Sequence, residues 1–180
     1  LKKVQGTDLQ TFLSKDLEPC LVEKLHRAKI MLGEKFSDCL DRRFWVLSPS
    51  DFGLHNSIIT GSGDVVFFDF EYFGWDDPVK LTADFCHHPG MSLSLEEQKK
   101  WIDWSQNVFK DDLEFLHRLR ALFPLYAIRW ALIIFNEFRP DKIKNRLNAE
   151  SRIASEVIET QLRQLEKAKS MIMNLDRSPI

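Results

Sequence analysis

Apolar residues recur at helical spacing over most of the chain. We expect a short first helix, because Thr7 and Gln10 stand at the two positions of a capping box. A longer amphipathic helix should take Pro19 into its first turn and end near Gly33. Its buried stripe is predicted to consist of Leu21, Leu25, Ala28 and Leu32.

Capping residues mark two later helix starts. Asp77 as the N-cap and Pro78 in the first turn predict a helix that ends at Pro89. Ser94 and Glu97 stand at the two positions of another capping box and predict the start of the next helix. Local sequence alone therefore places two successive helices in this part of the chain.

The most apolar region, residues 111–138, predicts a long central core helix with a kink at Pro124. Its most apolar stretch, residues 121–135, contains Arg129 and falls short of the ~20 residues that a membrane span needs. We therefore expect a buried helix and no membrane contact. The last helix is predicted over residues 149–173, with a buried stripe of Ile158, Leu162, Leu165, Ala168 and Ile172.

The middle of the chain carries the β-strand patterns. Residues 44–47 predict a short buried strand, which Pro49 ends because proline cannot continue a ladder. Residues 56–60 and 65–70 flank a glycine-containing turn and predict a hairpin whose second strand is buried on both faces. The aromatic and acidic residues 70–78 show no regular period and predict an ordered loop.

Composition and charge indicate one ordinary globular domain. Of the 180 residues, 44% are apolar and 29% are charged, which suffices for a single core. The net charge of −2 comes without a basic block, which argues against nucleic acid as a partner. The three cysteines are odd in number and far apart, which fits a reducing cytoplasm. We predict a single domain, residues 1–180, mainly α with a small β-hairpin sheet (α+β).

The run Cys86-His87-His88 offers side chains that can bind metals. Neighbouring residues of one helix point in different directions, and no second ligand pair stands at a matching spacing elsewhere. We therefore interpret these residues as packed side chains at a helix end.

The candidate chemistry lies in two carboxylates and one amide. Asp51 precedes Asn56 in an Asp-x-x-x-x-Asn spacing, and Asp69 ends the third predicted strand. Phosphoryl transfer needs a carboxylate near the attacking hydroxyl and oxygen ligands that hold Mg²⁺. A hairpin between Asn56 and Asp69 would bring the two motifs together. Each residue alone is more often a turn or cap residue, so the hypothesis depends on their combination.

These motifs resemble those of the aminoglycoside phosphotransferase and choline kinase superfamily, which shares its fold with the protein kinases. The matching residues are Asp51 and Asn56, then Asp69-Phe70-Glu71-Tyr72 followed by Gly74, then Asp77-Pro78 and Asp84. The resemblance implies that Asp51 is the catalytic base, that Asn56 and Asp69 are Mg²⁺ ligands, and that Asp84 braces the catalytic loop. It also implies ATP (or GTP) as the phosphate donor and a small-molecule hydroxyl as the acceptor.

The resemblance covers Gly6 to about Asp84 and implies the C-terminal lobe of a kinase-like fold. It divides the chain into a hinge-proximal start (1–14), a catalytic loop and metal motif (44–84) and a helical subdomain (85–180). Two features depart from the family. Its His-Gly before the base is Pro49-Ser50 here, and the glycine-rich loop and strand lysine of an N-terminal lobe do not precede Asp51. We therefore expect the isolated chain to turn over slowly or not at all.

Side chains near the metal motif offer a second possible role. Glu71, Asp76 and Asp77 beside aromatics such as Trp75 can hold a cationic substrate through ion pairs and cation–π contacts, although aromatics more often simply pack the core. The sequence leaves two other functions open. One is a non-catalytic, pseudokinase-like binding module. The other is a Ser/His hydrolase, which the lack of a Gly-x-Ser-x-Gly motif makes weak.

Overall fold

The computed structural model describes residues 8–141, 143 and 154–180. This part of the chain is mainly helical and carries two antiparallel two-stranded sheets, so the predicted α+β class is confirmed. The longer helices are α1 (Glu18–Leu32), α2 (Pro78–His87), α3 (Leu95–Val108), α4 (Phe115–Ile134) and α5 (Ala154–Met173). The strands are β1 (Val46–Ser48), β2 (Ser57–Ile59), β3 (Val65–Phe67) and β4 (Gly74–Asp76).

The first two predicted helices are continuous. Helical residues 8–12 run through a π-helical segment, Leu13–Leu17, directly into α1. Thr7 of the predicted capping box, and the first half of the predicted hinge-proximal start, residues 1–7, lie outside the described residues. Helix α1 contains Pro19 in its first turn, as predicted. It ends at Gly33, whose φ of 56° suits glycine because it has no β-carbon.

Helix α4 lies at the centre of the described fold and packs against α1, α2 and α5, which confirms the predicted core helix. Leu119 packs on α2 and α3, Ala121 on α1 and Ala131 on α5. With the following 3₁₀ turn it forms a helix of 24 residues, Phe115–Phe138, which contains an 18-residue stretch with a mean hydropathy of 1.3. That length is sufficient for a membrane span, so the sequence argument from shortness was wrong. Its packing against three helices is that of a core helix.

The buried stripe of helix α5 differs from the predicted one, because Val157 and Gln161 are buried in place of Ile158 and Leu162. Leu165 and Ala168 are buried against α4, whereas Leu162 is 44% exposed, which corrects its predicted place in the stripe. The predicted first turn, residues 149–153, lies outside the described residues.

The two sheets differ most from the predictions. Strands β2 and β3 form the predicted hairpin, with Ser57 opposite Phe67. However, Val65 and Val66 are 50% and 45% exposed, so the expected burial of β3 on both faces was wrong. Apolar residues favour a strand, but only tertiary packing decides whether anything covers it. Leu47 in β1 is 48% exposed, so that strand is not buried either.

Strand β4 lies inside the segment predicted to be a loop. It pairs antiparallel with β1, and Leu47 lies opposite Trp75. A strand of three residues is too short to show a period in the sequence. The pairing matters for the site because it places Gly74 opposite Ser48, where the loop that carries Asp51 begins, and Asp76 opposite Val46.

Replacing Ser94 with alanine should destabilise the fold modestly. The Ser94 hydroxyl accepts a hydrogen bond from the Glu97 backbone, and the Glu97 carboxylate accepts one from the Ser94 backbone, so the predicted capping box is confirmed. Loss of the cap should lower the free energy of unfolding by about 1 kcal/mol, measured by urea denaturation. Gln106→Ala, on the exposed surface of the same helix, is the control and should change it by less than about 0.5 kcal/mol. An unchanged urea midpoint for Ser94→Ala would contradict the expectation.

Candidate functional site

Asp51 lies on a tight loop between β1 and β2. The loop leaves β1 at the buried Ser48, whose hydroxyl accepts a hydrogen bond from the Ser50 backbone at 3.1 Å. Ser50 adopts a positive φ of 62°, which is uncommon for a residue other than glycine. The Asp51 side chain is 37% exposed, so its carboxylate is reachable from solvent.

Gly53 lets this loop approach the segment that follows α2. A β-carbon at Gly53 would lie 2.6 Å from Sδ of Met91 and 2.8 Å from the His55 ring, closer than packed atoms allow. The same sulfur lies 3.0 Å from the Leu54 backbone nitrogen, which donates to it. Packing therefore favours glycine at position 53, independently of any chemistry of Asp51.

Two histidines meet one oxygen of the Asp51 carboxylate. Nε2 of His55 and Nε2 of His88 each lie 3.1 Å from Oδ1 of Asp51. The two rings stack with centroids 3.8 Å apart and an interplanar angle of 1°. Burial and, to a smaller extent, the charge of His55 lower the pKa of His88 to about 4, although Asp51 opposes the shift. Near neutral pH, His88 is therefore uncharged.

Asn56 holds the main chain of the same loop. Its Nδ2 donates to the Asp51 carbonyl oxygen at 3.0 Å. The backbone carbonyl oxygen of Asn56 accepts a hydrogen bond from the Phe68 backbone N–H at 3.0 Å, which connects the loop to the far end of the hairpin. Asp51 and Asn56 are thus brought together as their spacing suggests.

Asp69 follows the hairpin in a left-handed backbone conformation, with φ of 63°. Its carboxylate forms no hydrogen bond or ion pair with Asp51 or Asn56. The charges of Asp69 and Asp51 both act on Tyr72. A hydrogen bond with Glu71 raises the pKa of Tyr72, and the charges of Asp69 and Asp51 add to that rise.

Asp84 is buried at the centre of an ion-pair network. Its Oδ1 accepts hydrogen bonds from Arg129 at 2.7 Å and from the Trp130 indole at 2.9 Å. Nζ of Lys80 lies 3.3 Å from the other carboxylate oxygen and 3.5 Å from the Ser50 hydroxyl. Burial raises the pKa of Asp84, although Arg129 and Lys80 oppose the rise. Lys80 therefore connects Asp84 to the residue that precedes Asp51.

The other predicted substrate-contacting residues separate into two groups. Asp76 pairs with Lys80 and so belongs to the network around Asp84. Asp77 instead caps α2 through the Val79 backbone and pairs with Arg118 at 3.0 Å. Glu71 bonds Tyr72, and Trp75 is 66% exposed on β4. The structure thus brings Asp76 towards Asp51 and assigns Asp77 to helix capping and an ion pair.

A cavity of about 800 Å³ opens beside the Asp51 loop. Its wall combines acidic, cationic and apolar side chains, including Asp51, Tyr72, Lys80, His88, Arg129, Trp130 and Ile133. Volumes of roughly 300–1,000 Å³ are usual for small-molecule sites. Trp75, Asp77, Asn56 and Asp69 do not line it.

The sequence predicts that Cys86, His87 and His88 are packed side chains at a helix end. This description fits Cys86 and His87 but not His88. Burial raises the pKa of Cys86 to about 12, and His87 packs on Phe123, 4.1 Å between ring centroids, as expected at a helix end. His88 instead turns towards Asp51, where Asp51, His55 and His88 present three potential ligand atoms within 4.8 Å of one another. Both site histidines were missed. The only local signal was the position of His55, one helical turn after Asp51.

No family model, no curated protein and no solved structure matches this chain.

Stability should fall as the pH decreases from about 6.5 to 4. Burial lowers the pKa of His87 to about 4, although its bond to the Phe123 carbonyl opposes the shift. In this pH range His87 therefore binds a proton in the unfolded chain and not in the folded chain. This difference should lower the free energy of unfolding by about 3 kcal/mol. His87→Gln keeps a donor for Phe123 and does not titrate, so its free energy of unfolding should depend less steeply on pH.

The measurement is urea denaturation at a series of pH values. His88 adds a pH dependence of the same sign. His87→Gln should therefore weaken the dependence of the free energy of unfolding on pH without removing it. His26→Gln, on the exposed side of α1, is the control and should keep the wild-type slope. An identical slope for His87→Gln and the wild type would show that His87 is not buried in neutral form.

Proposed function

We propose that the chain provides the catalytic base and the Mg²⁺ ligands of a phosphotransferase that uses ATP (or GTP) and acts on a hydroxyl of a small molecule. The observation that carries the proposal is the accessible carboxylate of Asp51 in the wall of the 800 Å³ cavity. A carboxylate so placed can accept the proton of a bound hydroxyl while that hydroxyl attacks phosphorus. The Asn56 bond to the Asp51 carbonyl supports this role, because it fixes the loop that carries the base.

Asn56 and Asp69 fit the oxygen chemistry that Mg²⁺ requires. The Asn56 amide nitrogen is used in the bond to Asp51, which leaves its Oδ1 for a cation. The carboxylate of Asp69 forms no hydrogen bond or ion pair with the described residues. Bound Mg²⁺ would neutralise charge on the donor phosphates. The positive φ of Asp69 also supports a functional role, because such conformations cluster at functional sites.

The proposal includes the C-terminal lobe of a kinase-like fold, working in the cytoplasm. It is supported by the order of the motifs, by the hairpin between Asn56 and Asp69, and by the helical packing that follows. Asp84 takes the proposed bracing role through Lys80, which reaches the hydroxyl of Ser50.

The test is transfer of the γ-phosphate from ATP or GTP to a panel of small hydroxyl compounds, including amino alcohols and aminoglycosides. It should be run on this chain and on any longer product of its reading frame, with Mg²⁺ and with a chelator. Asp69→Asn removes a proposed metal ligand. Asp64→Asn is its matched control, because Asp64 lies in the turn of the same hairpin and bonds only Ser62 and Thr60.

We expect transfer that requires Mg²⁺, is lost in Asp69→Asn and persists in Asp64→Asn. If the most active product transfers phosphate no better than its Asp69→Asn form, the enzyme proposal is wrong. Mg²⁺-dependent nucleotide binding without transfer would instead indicate the non-catalytic binding module.

A further inference from the structure

The Asp51 carboxylate receives two imidazole nitrogens on a single oxygen. His55 comes from the 3₁₀ turn Leu54–Asn56, and His88 comes from the residue after α2. Both Nε2 atoms lie 3.1 Å from Oδ1, whereas no described side chain bonds Oδ2. The two oxygens of the carboxylate are therefore in different environments.

The protonation state of His88 is set by its other ring nitrogen. The Gly90 backbone N–H donates to Nδ1 of His88 at 3.0 Å, so Nδ1 carries a lone pair. A neutral imidazole with an unprotonated Nδ1 carries its proton on Nε2. The pKa of His88, lowered to about 4 mainly by burial, keeps the ring neutral near pH 7. The neutral ring of His88 therefore donates its Nε2–H to the Asp51 carboxylate.

His55 favours the same tautomer for a different reason. Its Nδ1 is buried and has no hydrogen-bond partner among the described residues. A proton on Nδ1 would be a buried donor without an acceptor, which is costly. A proton on Nε2 has the Asp51 carboxylate as its acceptor at 3.1 Å.

The same observations argue against a metal ion held by these three residues. A histidine that binds a metal through Nε2 carries its proton on Nδ1, which it usually donates to a carboxylate or a carbonyl. Here Nδ1 of His88 faces another N–H, and Nδ1 of His55 faces no acceptor. The surroundings of the two Nδ1 atoms therefore fit imidazole rings that donate through Nε2.

We infer that His55 and His88 are positioning residues that hold Oδ1 of Asp51 through two Nε2–H donors and leave Oδ2 as the oxygen that accepts the substrate proton. This inference rests on the proposed role of Asp51 as the base. His88 is itself supported by Trp130, whose ring meets it edge-on at 4.4 Å and whose indole N–H is bound by Asp84. Asp84 is thereby linked to the base through Trp130 and His88.

The first test reads the tautomers directly. Long-range ¹H–¹⁵N correlation spectra of the histidine side chains in the whole protein at pH 7 should show a proton on Nε2 of both rings and an unprotonated Nδ1 on His88. Zn²⁺ alone, added in a titration, should leave both Nε2 signals in place. A proton on Nδ1 of His88, or stoichiometric Zn²⁺ binding that displaces the Nε2 signals, would overturn the inference in favour of a metal site.

The second test measures the consequence for transfer. His88→Phe keeps a ring against Trp130 and removes the donor, so kcat should fall about 10-fold to 100-fold with little change in the KM for nucleotide. His88→Gln restores a donor and should recover much of kcat. Equal losses in the two variants would indicate a packing role and overturn the inference. These rates are measured on the most active product of the reading frame, and absence of transfer in every product, with the tautomers as expected, would overturn the proposed function itself.

Discussion

Replacing Asp51 with asparagine is expected to lower the rate of phosphate transfer by about 10²-fold to 10⁴-fold. The amide has the shape of the carboxylate, and its oxygen can still accept hydrogen bonds from His55 and His88. It cannot take a proton from a hydroxyl at neutral pH. The loss should therefore appear in kcat, with nucleotide binding and thermal stability close to those of the wild type.

Asp51→Asn is measured with the acceptor that gives the highest rate in the panel, and the melting temperature is recorded for the same samples. Asp64→Asn, the control on the hairpin turn, should keep the wild-type rate. If Asp51→Asn retains more than about a tenth of the rate, then Asp51 is not the base.

Replacing Asp84 with alanine is expected to destabilise the protein by about 3 kcal/mol, near the lower end of the cost of breaking a buried ion pair. The Asp84 side chain is 5% exposed, and its removal leaves the Trp130 indole N–H without its partner. The substitution also removes one ion-pair partner from each of Arg129 and Lys80. Arg129 is 43% exposed and Lys80 keeps Asp76, so these two cations are partly compensated.

Asp84→Asn separates hydrogen bonding from charge. Its amide oxygen can still accept from Trp130 and Arg129, and the variant buries no charge, whereas burial of the Asp84 carboxylate raises its pKa. We therefore expect a smaller loss than in Asp84→Ala, measured by urea denaturation. Asp103→Ala, which breaks the exposed pair with Lys99, should cost at most about 1 kcal/mol. Equal stability of Asp84→Ala and Asp103→Ala would show that the buried network contributes little.

Local sequence predicted the helices because their starts depend on neighbouring residues. The capping box of Ser94 and Glu97 and the N-cap of Asp77 are satisfied within one turn, so no distant contact can change them. The exposure of β3 could not be predicted, since Val65 and Val66 give the same pattern whether or not another element covers them. The pairing of β4 with β1 joins distant segments, and nothing near Gly74 signals it.

The same distinction applies to the site. Asp51 and Asn56 are joined within one loop, so their spacing predicted their contact. His88 reaches Asp51 only after α2 has packed against α4, and the sequence treats it as one residue of a Cys-His-His run. The sequence also could not predict that Asp77 lies apart from the other acidic residues, because its ion-pair partner, Arg118, comes from α4.

The hairpin of β2 and β3 exposes Ile59 and Val65 and has only two strands, an arrangement that is marginally stable by itself. Amide hydrogens in the hairpin should therefore exchange with solvent much faster than those of α4. The Asp51 carboxylate is held by His88 from the helical side, whereas Asn56 and Asp69 flank the hairpin. The proposed base Asp51 and the neighbouring Asn56, which share one loop, are thus held from the helical side, whereas Asp69 follows the less stable hairpin. A ligand that bridges them should slow exchange in the hairpin, so that binding itself completes the ordering of the site.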